Sequence, residues 1–327
     1  MGGDGAVILV TGGLGFVGSH TTRALLEAGE SCVLVQRRTP VLPEELAGEG
    51  GSRVFLERAD VTDLHALLEI GARHPITGIV HLAGSVPWPP GADEPVPGAR
   101  KAIGSLLNVV QAARDWRVRR VGVASTIGVY GGVAAEGPLS EDTPLPMAAF
   151  HVIPAFKKIG ELLGDYLAGV TGIEIVNYRI SPWGPGGNPA SPFTAVPPIV
   201  HAAARGTSPD FSALRAPAYA DDGIDMCYVK DCARAIALLQ LAPQLPHRTY
   251  NIAAGQPLTN REVADAVSAL VPDARIELPE GRAPAGSGQG TCLDIGRLRA
   301  DTGYEPAYDT AAAVADYIAW LRAGHER

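Results

Sequence analysis

The chain has 327 residues, 46% of them hydrophobic, and a formal net charge of −8. That apolar share excludes an intrinsically disordered chain, and the acidic balance argues against nucleic acid or an anionic membrane as the partner. No apolar run approaches the roughly 18 residues of a spanning helix, and the start of the chain lacks the pattern of a signal peptide. We therefore expect a cytoplasmic protein; a monomer and a homodimer are both open, and a small molecule is the expected partner. Cys32, Cys227, Cys232 and Cys292 form no C-x-x-C pair, and no histidine spacing completes a zinc site, so no metal is expected.

In chain order, residues 6–11 are an apolar run ending at glycines, which reads as a buried parallel strand. A helix over 16–28 follows, with Gly29 as its C-cap, then a strand over 32–36 and a weaker one over 53–57. Residues 61–70 read as helix, 78–82 as strand, 98–116 as a long helix and 120–125 as strand. A helix over 153–168 and a strand over 174–180 complete the alternation. Strands alternating with helices imply an α/β fold, a Rossmann-type doubly wound parallel sheet with right-handed crossovers. Beyond residue 180 the stretches 181–198 and 205–222 are rich in proline, glycine and alanine, which is loop chemistry. Helices are expected over 229–241, 259–270 and 311–321, and a strand over 249–252. This divides the chain into a cofactor-binding domain, 1–180 with 223–253, and a smaller substrate or lid region, 181–222 with 254–327.

The first strand runs into Gly12, Gly15 and Gly18, spaced to permit a tight turn, a close approach to a pyrophosphate and tight packing of the next helix. Gly12, Gly15, Phe16 and Val17 are thus candidate cofactor contacts, the helix N-terminus offering its N–H groups to phosphate. Where an NAD site places an acidic residue at the end of the second strand, this chain has Gln36, Arg37 and Arg38. A carboxylate repels a 2′-phosphate and a guanidinium grips it, so Arg37 and Arg38 point to NADP(H).

Further pieces complete a resemblance: Asp60-Val61-Thr62-Asp63, His81-Leu82-Ala83-Gly84, Ala124 through Gly131, Trp183-Gly184-Pro185-Gly186, Val229-Lys230-Asp231, Tyr250-Asn251-Ile252 and the segment from Asp294 to Trp320. Their order and spacing resemble the extended short-chain dehydrogenase/reductases, the group that includes nucleotide-sugar epimerases and dehydratases. The resemblance implies adenine contacts at Asp60 and Val61, and cofactor contacts at Leu82, Ala83, Gly84, Lys157 and Ser181. It also implies a catalytic Ser/Thr, Tyr and Lys, in which the tyrosine exchanges a proton with the substrate.

Thr126 matches the Ser/Thr position and Lys157, spaced with Glu161, matches the lysine; four residues before Lys157 stands Ile153, and four before Lys158 stands Pro154. The tyrosine is absent in either register, a departure also found in antibiotic-pathway ketoreductases that resemble this family. His151 is the other candidate proton donor. The phosphate-holding polar residues of nucleotide-sugar enzymes are missing too: Gly223-Ile224 precedes Asp225, and Lys101 replaces a helix asparagine. Apolar and aromatic residues stand around the expected pocket, namely Trp88 among prolines, Ile153, Phe156, Trp183 and Phe193.

Three functional readings follow. The first is an NADPH-dependent reductase of a carbonyl on a bulky hydrophobic or aromatic metabolite of secondary metabolism. The second is a nucleotide-sugar epimerase or dehydratase, and the third a non-catalytic NADP(H)-binding regulator.

Overall fold

In the computed structural model the described residues are 7–38, 41–84, 95–134, 137–284 and 290–325. The chain begins with β1 (Val7–Thr11), α1 (Phe16–Glu27), β2 (Ser31–Gln36), α2 (Glu44–Ala47), β3 (Val54–Arg58), α3 (Leu64–Arg73) and β4 (Ile76–His81). It continues with α4 (Pro95–Asp115), β5 (Arg120–Thr126), a 3₁₀ turn (Ile127–Tyr130), α5 (Val152–Thr171) and β6 (Glu174–Ile180). Then come β7 (Pro182–Trp183), α6 (Val196–Arg205), β8 (Gly223–Asp225), β9 (Cys227–Tyr228), α7 (Val229–Leu241) and β10 (Thr249–Ile252). The last elements are β11 (Pro257–Thr259), α8 (Asn260–Leu270), α9 (Gly296–Thr302) and α10 (Thr310–Arg322).

The main sheet has seven strands in the order β10-β6-β5-β4-β1-β2-β3, and every pairing is parallel. This is the expected doubly wound α/β architecture. Its central strands are sequence runs of Val, Ile and Leu because both faces are covered: β1 is buried along its whole length. One face packs on α1 and α7, the other on α3, α4 and α5, so the sheet separates two apolar cores. The strand order reverses between β1 and β4, and the crevice beyond the carboxyl ends of these strands is where α/β sheets bind ligands.

A third core lies apart from the sheet. It gathers Trp183, α6, Tyr228, α8 and α10, with Ile199, Val263, Val267, Val314 and Tyr317 fully buried. Helix α6 was missed by the sequence reading, which saw only loop chemistry around it. Its prolines, Pro197 and Pro198, sit in the first turn, where a missing N–H costs nothing. The start of α3 also moves, from the expected residue 61 to Leu64, because Asp63 caps it by accepting the Ala66 N–H.

Candidate active site

The turn after β1 is built as its glycines require. Gly12 has φ of +70°, and a Cβ there would lie 3.0 Å from the Ala83 backbone nitrogen; a Cβ on Gly18 would overlap the Gly12 carbonyl oxygen. Gly15 is the N-cap of α1, exposed, with no side-chain cap, and no acidic residue stands in the first turn. The first-turn N–H groups, Phe16 and Val17 among them, are thus offered to an anion with no carboxylate of that turn competing. These features fit a dinucleotide pyrophosphate.

The segment after β4 is fixed over this turn. Leu82 donates its N–H to the Thr11 carbonyl at 3.1 Å, and Ala83 donates to Thr11 Oγ1 at 3.2 Å. That hydroxyl also shares a hydrogen bond with His81 Nδ1 at 2.7 Å. Burial, with the Lys157 charge added, pushes the His81 imidazole down to about 3, so it stays neutral. Among the described residues, nothing lies within 4 Å of where a Gly84 side chain would begin.

At the edge of the crevice Arg37 and Arg38 are exposed just past β2. Arg58, at the end of β3, joins them and donates from Nε to the Arg37 carbonyl at 3.4 Å. Asp60 is fixed by the N–H and hydroxyl of Thr62, at 2.9 and 2.8 Å, and the carbonyl of buried Val61 accepts from Asn108 Nδ2 at 3.1 Å. Ser181 anchors the far side through its carbonyl, which accepts the Cys227 N–H at 2.9 Å. The aromatic-Gly-Pro-Gly loop is clamped to α1, since His20 Nε2 donates to the Pro185 carbonyl at 3.0 Å.

The residues expected to carry the chemistry lie between β5 and α5. Lys157 donates from Nζ to the Ala124 carbonyl at 2.6 Å, and burial lowers its ammonium to about 8. Thr126 accepts the Gly128 N–H at 3.2 Å, which leaves its hydroxyl proton to point elsewhere. A Cβ on Gly128 would touch both Thr126 and Pro154, so the strand end and the first turn of α5 are neighbours. Ile153, half-buried, stands one turn before Lys157, where it offers no proton. His151 caps α5 by accepting the Ile153 N–H on Nδ1 at 3.2 Å. Burial, and then the charge of Arg215, hold its imidazole below the usual range.

Beneath Lys157 lies a charge network that sequence reasoning registered only as the Lys157–Glu161 spacing. Glu161 forms a bidentate pair with Arg179, at 2.7 and 3.1 Å, and accepts the Ser125 hydroxyl. Arg179 also donates to the Tyr130 hydroxyl at 2.7 Å, and Tyr130 donates to Asn251 Oδ1 at 2.8 Å. Tyr130 is thus a buried framework residue.

The expected substrate wall is redistributed. Trp88 and its neighbouring prolines lie outside the described residues. Trp183 is only 4% exposed and packs edge-on to Tyr228 in the third core, so it is a structural residue. Phe156 lines a cavity of about 50 Å³ between α4 and α5, shared with Ser105, Leu106 and Lys157; this is too small for a bulky substrate. Lys101 is exposed. Phe193 stacks on His151, with ring centroids 5.3 Å apart and planes at 23°. The guanidinium of Arg215 lies 5.0 Å from the centroid of Phe193. Arg215 was not foreseen; it lies in an aperiodic loop with no pattern to mark it.

Comparison with known proteins places this geometry. The sequence pattern of the NAD dependent epimerase/dehydratase family matches residues 8–253. The UDP-glucose 4-epimerase of Lacticaseibacillus casei is 25% identical over 314 residues, 92% of each chain. Among solved structures, MoeE5 in complex with UDP-glucuronic acid and NAD is 26% identical, with a TM-score of 0.76 over 98% of this chain and 100% of that one. A partial consensus L-threonine 3-dehydrogenase is also 26% identical, with a TM-score of 0.76 over 97% of this chain and 99% of that one.

Proposed function

The chain belongs to the NAD dependent epimerase/dehydratase family, and from that premise we propose that it is a nicotinamide-dependent oxidoreductase whose work is to reduce a carbonyl on a bulky, hydrophobic substrate. The bound cofactor supplies a hydride. Gly12, Gly15, Phe16 and Val17 hold its pyrophosphate, Leu82 to Gly84 line its crevice, and Lys157 holds its ribose. Arg37 and Arg38 make NADP(H) the preferred form by offering guanidinium forks to a 2′-phosphate.

The observation that carries this reading is Ile153, one turn before Lys157. An epimerase or dehydratase must begin by removing a proton from a sugar hydroxyl, and needs a base for it. A reductase needs a proton only after hydride has arrived, and the alkoxide it makes is basic enough to take one from water. Thr126 donates a hydrogen bond to the carbonyl oxygen and stabilises the charge as it grows. Losing a general acid costs about 100- to 10,000-fold, a loss that a slow, dedicated reductase survives.

A second reading, a nucleotide-sugar epimerase or dehydratase, draws more directly on the relatives. The L. casei protein is named a UDP-glucose 4-epimerase and matches nearly end to end, and MoeE5 was solved with UDP-glucuronic acid. The partial consensus L-threonine 3-dehydrogenase, similarly distant, is named for a substrate that is not a nucleotide. Against the second reading stand Ile153 and the apolar Ile224 before Asp225.

The deciding experiment incubates the purified protein with NADPH or NADH and a panel of aromatic ketones, then with UDP- and dTDP-sugars. We expect cofactor oxidation with a ketone and no change in the sugars. Sugar conversion without ketone reduction overturns the reductase reading in favour of the second.

A further inference from the structure

Three large apolar side chains face solvent beside the first turn of α5: Met147 is 91% exposed, Phe150 62% and Phe193 45%. Soluble proteins leave single apolar residues exposed as a matter of course, but grouped aromatic faces mark a place where something binds.

The aromatic members are tightly organised. Phe150 meets the His151 ring edge-on, with centroids 4.5 Å apart and planes at 84°. Phe193 stacks on the same histidine, and Arg215 lies over Phe193. A Cβ on Gly131 would overlap the edge of the Phe150 ring, so the phenyl lies directly on the turn that follows Thr126.

Backbone contacts hold both sides of the stack. Arg215 donates its N–H to the Pro192 carbonyl at 3.2 Å, next to Phe193. Lys158 binds the Pro146 and Ala148 carbonyls and so fixes the segment leading to Phe150 to α5. His151 joins the stack to the reacting end, because its Nδ1 caps the helix at Ile153. Burial, and then the charge of Arg215, lower the His151 imidazole, and the Arg215 guanidinium lies over the Phe193 ring of the same stack.

We propose that Phe150, His151, Phe193 and Arg215 form the surface that selects the substrate, and that they take a flat aromatic carbonyl compound bearing an acidic group. The ring packs on the aromatic side chains and the acid pairs with Arg215. The inference rests on the reductase reading and narrows its substrate class. A uridine nucleotide also combines a flat ring with an anion, so the test must separate the two.

The 327-residue protein, saturated with NADPH analogue or NADP, is titrated calorimetrically with anthraquinone-2-carboxylate, with neutral 2-methylanthraquinone and with UMP. We expect the acid to bind about tenfold or more tighter than the neutral quinone, through a charge-assisted bond to Arg215. Phe193→Ala should weaken both quinones about tenfold, given what an aromatic pair and its buried area contribute. Arg215→Met should remove the preference for the acid, and Arg215→Lys should restore part of it. Affinity for NADP should stay within about twofold in all three, which excludes a general loss of structure.

Unchanged quinone binding in Phe193→Ala overturns the proposal, as does UMP binding more tightly than the acid. Cofactor oxidation is read separately with NADPH. Binding that obeys these substitutions without oxidation supports the surface and counts against the reductase. Reduction whose KM is unmoved by Phe193→Ala supports the reductase and overturns the surface.

Discussion

Cofactor choice should rest on two exposed arginines, and Arg37→Ala is the perturbation that isolates them. NADPH and NADH share every contact except those to the 2′-phosphate, so the ratio of their affinities cancels the glycine turn, the adenine site and Lys157. A charge-assisted hydrogen bond contributes about 1.5–3 kcal/mol. Arg37 and Arg38 both lie in high dielectric at the end of β2, where the Coulomb energy of a pair at contact is only about 1 kcal/mol. The geometry-specific bonds therefore dominate, and Arg37→Ala should shrink the preference for NADPH by about 1.5–3 kcal/mol, roughly 10- to 150-fold. Arg58 binds the Arg37 carbonyl, so Arg58→Ala should have a smaller effect in the same direction. Calorimetry with both cofactors at two salt concentrations reads all of this, and salt should weaken NADPH more than NADH. Equal affinity in the unaltered protein, or a preference for NADH, refutes the argument from the second strand.

Lys157→Ala should weaken cofactor binding about tenfold or more, while Lys158→Ala, whose ammonium is engaged by the Pro146 and Ala148 carbonyls, should change it about twofold at most; the reverse result means the helix register is wrong. Lys157 titrates at about 8 in the fold against 10.5 unpaired. Between these values the unfolded chain carries the extra proton, so this group makes the fold more stable as pH rises from 8 toward 10.5. In the role proposed for Lys157, its charge is lost as pH rises through 8, so cofactor affinity should fall there in the wild type and stay flat in Lys157→Ala. The buried Glu161–Arg179 pair sets a third expectation. Glu161→Leu should cost about 3–5 kcal/mol in urea unfolding because it strands the guanidinium, and Glu161→Leu with Arg179→Met should cost less than that single change.

What was legible in the sequence was whatever local pattern enforces. The apolar runs of β1, β2 and β4 announced buried parallel strands, because a strand covered on both faces has no polar alternation to show. Gly12 and Gly18 could be placed because their neighbours leave no room for a Cβ. Helix α6 hid behind Pro197 and Pro198, residues that break a helix interior but suit its first turn. Trp183 was misread because an aromatic residue in a glycine loop carries the same signal whether it lines a pocket or plugs a core; its packing on Tyr228 decides for the core. The pairing of Arg215 with Phe193 spans two aperiodic loops, and nothing short of tertiary structure brings them together.

With Ile153 one turn before Lys157, the proposed reductase must take its proton from elsewhere, and the surroundings of His151 argue against the obvious substitute. Its Nδ1 lone pair is committed to the Ile153 N–H, so the neutral ring carries its proton on Nε2. Acting as an acid requires the imidazolium, and forming it means protonating Nδ1. That breaks the helix cap, at about 1 kcal/mol, and sets a positive charge against the positive end of the α5 dipole. Burial and Arg215 oppose the charge as well, which is why the imidazole lies below its usual range. The substitution that separates the two roles is His151→Asn, because asparagine is a good N-cap and cannot donate as imidazolium. We expect His151→Asn to keep kcat within about tenfold, and the wild-type rate to show no acid limb set by this group. Thr126→Ala, which removes a donor to the growing alkoxide, should cost more, up to about 2.7–4 kcal/mol in kcat, and Thr126→Ser should recover most of it. A loss of about a thousandfold in His151→Asn, with cofactor affinity and unfolding midpoint intact, would identify the histidine as the acid. It would also mean that the cap seen at Ile153 gives way during turnover.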